Sequence, residues 1–247
     1  MESNESHRHD NSKVTAAGLL IALGIIYGDI GTSPLYVMKA VTGTTKPIEE
    51  NEILGALSLV FWTLTLQTTF KYVILILRAD NRGEGGIFAL YALVRRHAKW
   101  ITIPAMIGGA ALLADGIITP PISVSSAIEG LKIIYPELQT IPIVIAILSA
   151  LFLIQGFGTS VVGRAFGPIM LIWFLMLATL GFIHISDAPE VLKCFNPYYG
   201  YWLLFEYPEG FWLLGAVFLC TTGAEALYSD LGHCGRGNIR VSWVFVK

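Results

Sequence analysis

An acidic residue lies in the first long apolar segment of the chain, where a carboxylate needs a chemical reason to be. Asp29 belongs to the run GDIGTSPLY at residues 28–36, directly after a stretch that is almost entirely apolar. A carboxylate at the middle of a bilayer costs about 2.5–3.5 kcal/mol on insertion scales, so such a group is expected to face protein, water or a cation. The run therefore predicts a functional role for Asp29, with cation binding as the chemistry.

The residues around Asp29 have the pattern of an interrupted helix. Gly28 and Gly31 weaken an apolar helix, and Ser33 followed by Pro34 is typical of an N-cap and the first position of a new helix. The pattern predicts one membrane crossing made of two half-helices, with Asp29 in the break. The backbone groups that such a break leaves free are tolerated in a membrane where they line a site.

A second interrupted segment carries the run TTGAE at residues 221–225. Like the first, it combines hydroxyl groups, a glycine and one acid, and its candidate ligands are Thr222 and Glu225. Discontinuous crossings in corresponding positions indicate a transporter site near the bilayer midplane. A single hydroxyl group in such a segment has a second interpretation, a hydrogen bond between packed helices.

Three polar residues between these segments share one face of a predicted helix. Asp115, Thr119 and Ser123 are spaced four residues apart. Their oxygens suit a partly dehydrated cation, because hard cations exchange water for oxygen ligands; the alternative is a polar stripe that joins two helices. Tyr36, two turns after Asp29, either adds a phenol oxygen to the same cavity or belongs to the aromatic belt at the membrane interface.

The composition predicts a multi-pass membrane protein and excludes other classes. The chain is 54% hydrophobic and only 14% charged, with a mean hydropathy of +0.64. A net charge of −2, without a basic face, gives no reason to expect a nucleic-acid partner. No His, Cys or Ser spacing assembles a nucleophile with a base, so we expect neither an enzyme nor a cofactor. The run GEGG at residues 83–86 lacks the lysine of a phosphate-binding loop.

The apolar blocks divide the chain into a tail and a series of crossings. We predict a cytoplasmic tail at residues 1–13 and a transmembrane permease domain at residues 14–234, with an interfacial helix at about 87–99. Residues 235–247 are predicted to begin a truncated seventh span. The six predicted spans are 14–41, 53–77, 100–134, 141–156, 161–185 and 209–232.

The positive charges predict the orientation of these spans. With the N-terminus in the cytoplasm, the loops on that side collect most of the Lys and Arg residues, whereas the outer side keeps four. Those four are Lys39, Lys46, Lys132 and Lys193. In this topology Glu129 lies either at the outer mouth of the cation path or simply at the interface.

Four motifs together resemble a known family. They are GDIGTSPLY at 28–36, NRGEGG at 81–86, ADGIITP at 114–120 and TGAEALY at 222–228. On these motifs the chain is similar to the Kup/HAK/KT potassium uptake permeases over essentially all of its length after the tail. The resemblance implies an all-α integral membrane protein of the amino-acid/polyamine/cation permease (LeuT-like) fold, with helices 1 and 6 discontinuous. This chain would hold the first five-helix repeat and the sixth helix.

The same resemblance implies a function and a set of ligands. The function is secondary active potassium uptake across the cell membrane, coupled to protons as a K+/H+ symport, with the inner membrane as the location in a Gram-negative bacterium. Either Asp29, Asp115 or Glu225 would carry the proton. The implied ion-binding residues are Asp29, Tyr36, Asp115, Thr119, Ser123, Thr222 and Glu225.

The chain departs from the family in length, because members have about twelve spans. We therefore expect a truncated permease that is inactive alone, or one that works as a homodimer or with a complementary C-terminal half. Two other functions stay open at this point. One is an amino-acid or organic-cation permease of the same fold, and the other is a membrane protein that binds potassium or assembles with a partner without transporting.

Overall fold

A computed structural model describes residues 14–42, 49–132, 134–156, 159–207 and 210–247, without the side chains of 42, 155 and 159–164. The predicted tail lies outside the described residues. Throughout the described part the ordered elements are helices, apart from one bridge between Asn81 and Glu84. The α-helices are α1 (Ala16–Ile25), α2 (Tyr27–Thr42), α3 (Glu50–Thr63), α4 (Ile87–Val94), α5 (Thr102–Leu131), α6 (Thr140–Gln155), α7 (Thr159–Asp187), α8 (Pro197–Phe205), α9 (Gly210–Phe218), α10 (Ala226–Ser229), α11 (Leu231–Cys234) and α12 (Arg236–Val246).

Several of these helices are long and apolar enough to cross a membrane. Four segments qualify on their own among the described residues, and a bent pair, Ala16–Ile25 with Tyr27–Val41, makes a fifth. The apolar part of α6, Thr140–Ile154, is shorter than these. The four single segments are Glu50–Arg78, Lys99–Leu131, Ala165–Asp187 and Gly210–Ser229.

The first crossing bends at a different place from the one its sequence indicates. Its two helices meet at an angle of 43° across Ile26, and α2 then runs without interruption through Pro34. The interpretation of Ser33 as an N-cap is therefore wrong, and Asp29 lies in the first turn of α2 rather than in an unwound segment. In the turn before Pro34, Ser33 and Thr32 donate to the Asp29 carbonyl at 2.8 and 3.1 Å, so the Ser33 hydroxyl bonds back within the helix instead of capping a new one.

The second crossing changes its winding halfway. Helix α3 continues into a π-helical segment, Leu64–Leu75, and closes with a 3₁₀ turn, Ile76–Arg78. A π-helix of this length is unusual, and π-helical turns are frequent near functional sites. Thr68 is fully buried in this segment. The loop after the 3₁₀ turn carries the NRGEGG run and leads into α4, which ends at Val94, before the predicted limit of 99.

The later segments contain one long continuous helix and a second interruption. Helix α5 is continuous although it contains Pro120 and Pro121. After α9 the chain makes a 3₁₀ turn, Leu219–Thr221, and stays outside regular helix from Thr222 until α10 begins at Ala226. Helix α12 occupies the region predicted to begin a seventh span and packs against α1.

Two apolar clusters hold the fold together and lie at the two ends of α2. The first surrounds Tyr27 and Ile30 and includes Trp243 of α12, whose ring stacks on Tyr27. The second surrounds Val37 and Val41. The polar middle of α2 lies between the two clusters, so burial of its apolar ends fixes its position while its centre stays available for polar chemistry.

Candidate functional site

The centre of the site is the contact between Asp29 and the second interrupted segment. Gly223 has a φ of +84°, and a Cβ atom placed on it would lie 2.8 Å from the Asp29 Cβ and 3.0 Å from its Oδ2. Only glycine combines this backbone conformation with so close an approach. The two segments that the sequence marks as interrupted therefore meet directly at the Asp29 carboxylate.

Two further carboxylates lie around this contact. Asp115 of α5 and Glu225 interact electrostatically with Asp29, and the Glu225 side chain lies within hydrogen-bonding reach of Asp115. All three residues are partly buried. Like charges repel more strongly in a protein interior than in water, so a cation or a proton among these acids would lower the free energy of the folded state.

The three acids are near neighbours, but they are not placed as joint ligands of one metal ion. Among the residues that the structure describes, no three His, Cys, Asp or Glu side chains come close enough to hold one metal ion.

Hydroxyl groups on α5 extend the site along one helix face. Thr119 Oγ1 donates to Asp115 Oδ1 at 3.1 Å. One turn further, the Oγ of Ser123 is buried and has no hydrogen-bond partner in the described part of the chain. A buried hydroxyl without a partner costs free energy, and a bound ion or water would satisfy it.

A chain of hydrogen bonds brings Tyr36 into the site. Its hydroxyl donates to Ser33 Oγ at 2.7 Å, and Ser33 Oγ donates to the Asp29 carbonyl at 2.8 Å. The Thr222 side chain lies within hydrogen-bonding reach of the Tyr36 hydroxyl and donates to the Leu219 carbonyl at 2.7 Å. The phenol oxygen therefore points to the junction of the two interrupted segments.

Some functional positions were missed at the level of sequence. Ser33 is 0% exposed and acts as the link between Tyr36 and Asp29, a role hidden by its resemblance to an N-cap. Gly31 gives room to Phe174 of α7, since a Cβ there would lie 2.5 Å from the Phe174 Cζ. Small residues permit close packing of membrane helices, and that signal was available in the GDIG run.

A groove leads away from Tyr36 between α2 and α5. It has a volume of about 470 Å³ and is lined by Tyr36, Lys39, Ile122 and Glu129 among others. Lys39 and Glu129 form an ion pair across it. Glu129 and Tyr36 thus line the same groove.

These features define the class of the molecule: a multi-pass membrane protein whose interrupted helices bring carboxylates and hydroxyl groups together inside the helical bundle. The chain belongs to the family described as "K+ potassium transporter integral membrane domain", whose model matches residues 16–247. This is a family of transporters and not of enzymes.

Relatives of the chain carry matching names. A protein of Cytophaga hutchinsonii named "Probable potassium transport system protein Kup" is 67% identical over 98% of this chain, and one of Flavobacterium johnsoniae with the same name is 65% identical over 98%. A "Probable potassium transport system protein Kup 1" of Lactococcus lactis is 58% identical over 98% of the chain. The chain spans 37–38% of the length of these three relatives. No solved structure matches it.

Proposed function

We propose that this chain forms the ion site of a secondary active potassium transporter, which takes up potassium with protons across the cell membrane. The observation that carries the proposal is the contact between Asp29 and Gly223, which joins the two interrupted segments at a carboxylate. The proposed ion-binding residues are Asp29, Tyr36, Asp115, Thr119, Ser123, Thr222 and Glu225.

In this proposal the site replaces the hydration shell of potassium. The carboxylates offset the charge of the ion, and hydroxyl groups supply neutral oxygen ligands. Two of these ligands would be the Ser123 hydroxyl of α5, which is buried without a hydrogen-bond partner in the described part of the chain, and the Tyr36 hydroxyl of α2. The arrangement suits an ion that binds reversibly, because no cluster of acids closes around one point in the described residues.

Proton coupling follows from the proximity of the acids. Asp29, Asp115 and Glu225 are each candidates to carry the proton, and their mutual electrostatic interaction means that a proton on one acid changes the charge that the other two experience. A proton on one of them removes negative charge from the site. It thereby changes the affinity for potassium, and that change couples the two ions.

The orientation and the remainder of the transporter are part of the proposal. With the N-terminus in the cytoplasm, the groove that ends at Lys39 and Glu129 opens to the outside and gives potassium its entry path. The fold is of the LeuT-like permease type, with this chain supplying the first repeat and the sixth helix. Alternating access then requires a second repeat as the moving partner, so transport is expected where a complementary C-terminal half or a second copy supplies one.

The test is rubidium uptake at several external pH values in cells that lack potassium uptake. The cells express this chain alone, or joined to the C-terminal part of the Cytophaga hutchinsonii relative that lies beyond the match. We expect uptake by the joined protein, faster at low external pH, and its loss in Asp29→Asn and Glu225→Gln with membrane insertion retained. Uptake unchanged in both variants would refute the site, and uptake independent of pH would refute the symport.

A further inference from the structure

The loop of residues 78–86 lies against the end of the second interrupted segment, and the proposed ion site gives it no role. It is a closed turn: the backbones of Asn81 and Glu84 exchange hydrogen bonds at 2.9 and 3.1 Å. Arg82 has a φ of +57°. The Asp80 carboxylate accepts the Gly83 N–H at 3.0 Å, and this side-chain hydrogen bond stiffens the turn.

This loop is fitted to α10 and α11 by backbone contacts. The Tyr228 hydroxyl donates to the Ala79 carbonyl. Gly85 lies against the Tyr228 carbonyl so closely that a Cβ could not be placed there, and a Cβ on Gly232 would lie 2.5 Å from Glu84 Oε2. Gly85 is therefore required for the loop to seat on the end of the interrupted crossing, because it meets backbone, whereas a Cβ on Gly232 would meet only the movable end of the Glu84 side chain.

An ion pair closes the contact. Arg236, the first residue of α12, donates to Asp80 Oδ1 at 2.6 Å, and each side chain is 34% exposed. The pair joins positions that are far apart in the chain, the end of the second crossing and the helix that follows α11. A charge-assisted hydrogen bond of this length between partly desolvated groups is stronger than an exposed surface pair.

The contact continues to the Glu225 backbone. The N–H groups of Tyr228 and Ser229 donate to the Glu225 carbonyl at 3.0 and 2.9 Å. The Ser229 hydroxyl donates to the same oxygen at 3.2 Å. Tyr228 thus connects the acid directly to the loop, because its N–H holds Glu225 while its hydroxyl holds Ala79.

We infer that the loop of residues 78–86 is a clamp on the end of the interrupted segment and that Asp80 and Arg236 are positioning residues for Glu225. The inference rests on the proposed function, since it assigns these residues to the potassium site. Neither side chain is among the proposed ligands. The pair keeps α10 seated on the loop, and α10 keeps the Glu225 carboxylate near Asp115.

A buried cysteine beside the clamp provides a direct test. Cys234 is 4% exposed and lies two residues before Arg236. In a Cys194→Ser background, maleimide labelling of Cys234 in purified protein in nanodiscs is followed by mass spectrometry, with rubidium binding measured on the same samples. Asp80→Asn and Arg236→Gln are compared with the exchanged pair Asp80→Arg with Arg236→Asp. Lys193→Gln, which breaks the exposed Glu190–Lys193 pair elsewhere, is the control.

We expect each single variant to raise the labelling rate of Cys234 about five- to tenfold and to weaken rubidium binding about threefold or more, because local opening is favoured when the pair is lost. The exchanged pair restores both values at least in part, and Lys193→Gln leaves both unchanged. Unchanged labelling in the single variants would overturn the clamp. Faster labelling with unchanged rubidium affinity would overturn the positioning role. If the unmodified chain binds no rubidium, the proposed function fails, while the labelling rates still decide whether the clamp exists.

Discussion

Replacing Gly223 by alanine introduces one methyl group at the most crowded point of the site. The Cβ would lie 2.8 Å from the Asp29 Cβ, and the φ of +84° disfavours any residue but glycine. The backbone conformation costs about 1 kcal/mol for alanine, and overpacking at such a contact costs about 1–3 kcal/mol. The cost falls on the state in which the two interrupted segments meet, which is the state that binds the ion.

A cost of about 2 kcal/mol to the binding-competent state corresponds to a roughly 30-fold weaker apparent affinity. We therefore expect Gly223→Ala to bind rubidium about 10- to 100-fold more weakly in a direct binding assay on purified protein in nanodiscs. The thermal unfolding temperature is measured in parallel, to separate a local change at the site from a loss of the fold.

Gly215→Ala is the matched control, because Gly215 lies in α9 of the same crossing and a Cβ there meets nothing within 4 Å. It should keep rubidium binding and stability unchanged or slightly improve stability, since alanine favours helix over glycine. If Gly223→Ala bound rubidium as well as Gly215→Ala does, the contact between Gly223 and Asp29 would have no role in ion binding.

Three further predictions follow from other contacts. Ser33→Ala removes the hydrogen-bonded link between Tyr36 and the Asp29 carbonyl, so rubidium affinity should fall about 5- to 30-fold for the loss of about 1–2 kcal/mol. Ser58→Ala is the control, because Ser58 is also buried but donates to the Asn196 carbonyl. It should leave rubidium affinity unchanged in the same binding assay. Gly31→Ala should destabilise the protein by about 1–3 kcal/mol through the clash with Phe174, and Phe174→Leu should recover part of that loss in thermal unfolding; no recovery would contradict the assigned contact. Glu129→Gln breaks an exposed ion pair across the groove and leaves the Lys39 charge uncompensated, so unfolding should change by less than about 1 kcal/mol while rubidium association becomes slower in stopped-flow measurements at low ionic strength; an unchanged association rate would show that the groove is not the entry path.

The sequence predicted the location of the polar groups better than the conformation around them. Asp29 was singled out because a carboxylate in an apolar segment is costly, and that argument needs no tertiary structure; its role in ion binding stays a prediction. The predicted position of the helix interruption was wrong, because Pro34 lies inside α2. The Ser33 and Thr32 hydroxyls donate to the Asp29 carbonyl within that helix, so Ser33 does not cap a new one. A Ser-Pro pair can either begin a helix or lie inside one. The choice depends on such local hydrogen bonds, which residue propensities do not reveal.

Sequence patterns could not predict the contacts between segments that are far apart in the chain. The approach of Gly223 to Asp29 and the pairing of Asp80 with Arg236 depend on how separate helices pack. The π-helical winding of Leu64–Leu75 gives no periodic signal distinct from that of an apolar α-helix. The glycines of the NRGEGG run were visible, but their purpose became clear only from the Tyr228 carbonyl that lies against Gly85.

Rubidium binding to the purified chain, in competition with potassium and sodium, is the decisive measurement for the proposed potassium site at Asp29. We expect saturable rubidium binding that potassium displaces far better than sodium does. We also expect Asp29→Asn to lose this binding while the protein stays folded. Saturable binding that survives Asp29→Asn unchanged, or a folded chain that binds no rubidium, would contradict the assignment of this carboxylate and hydroxyl site to potassium.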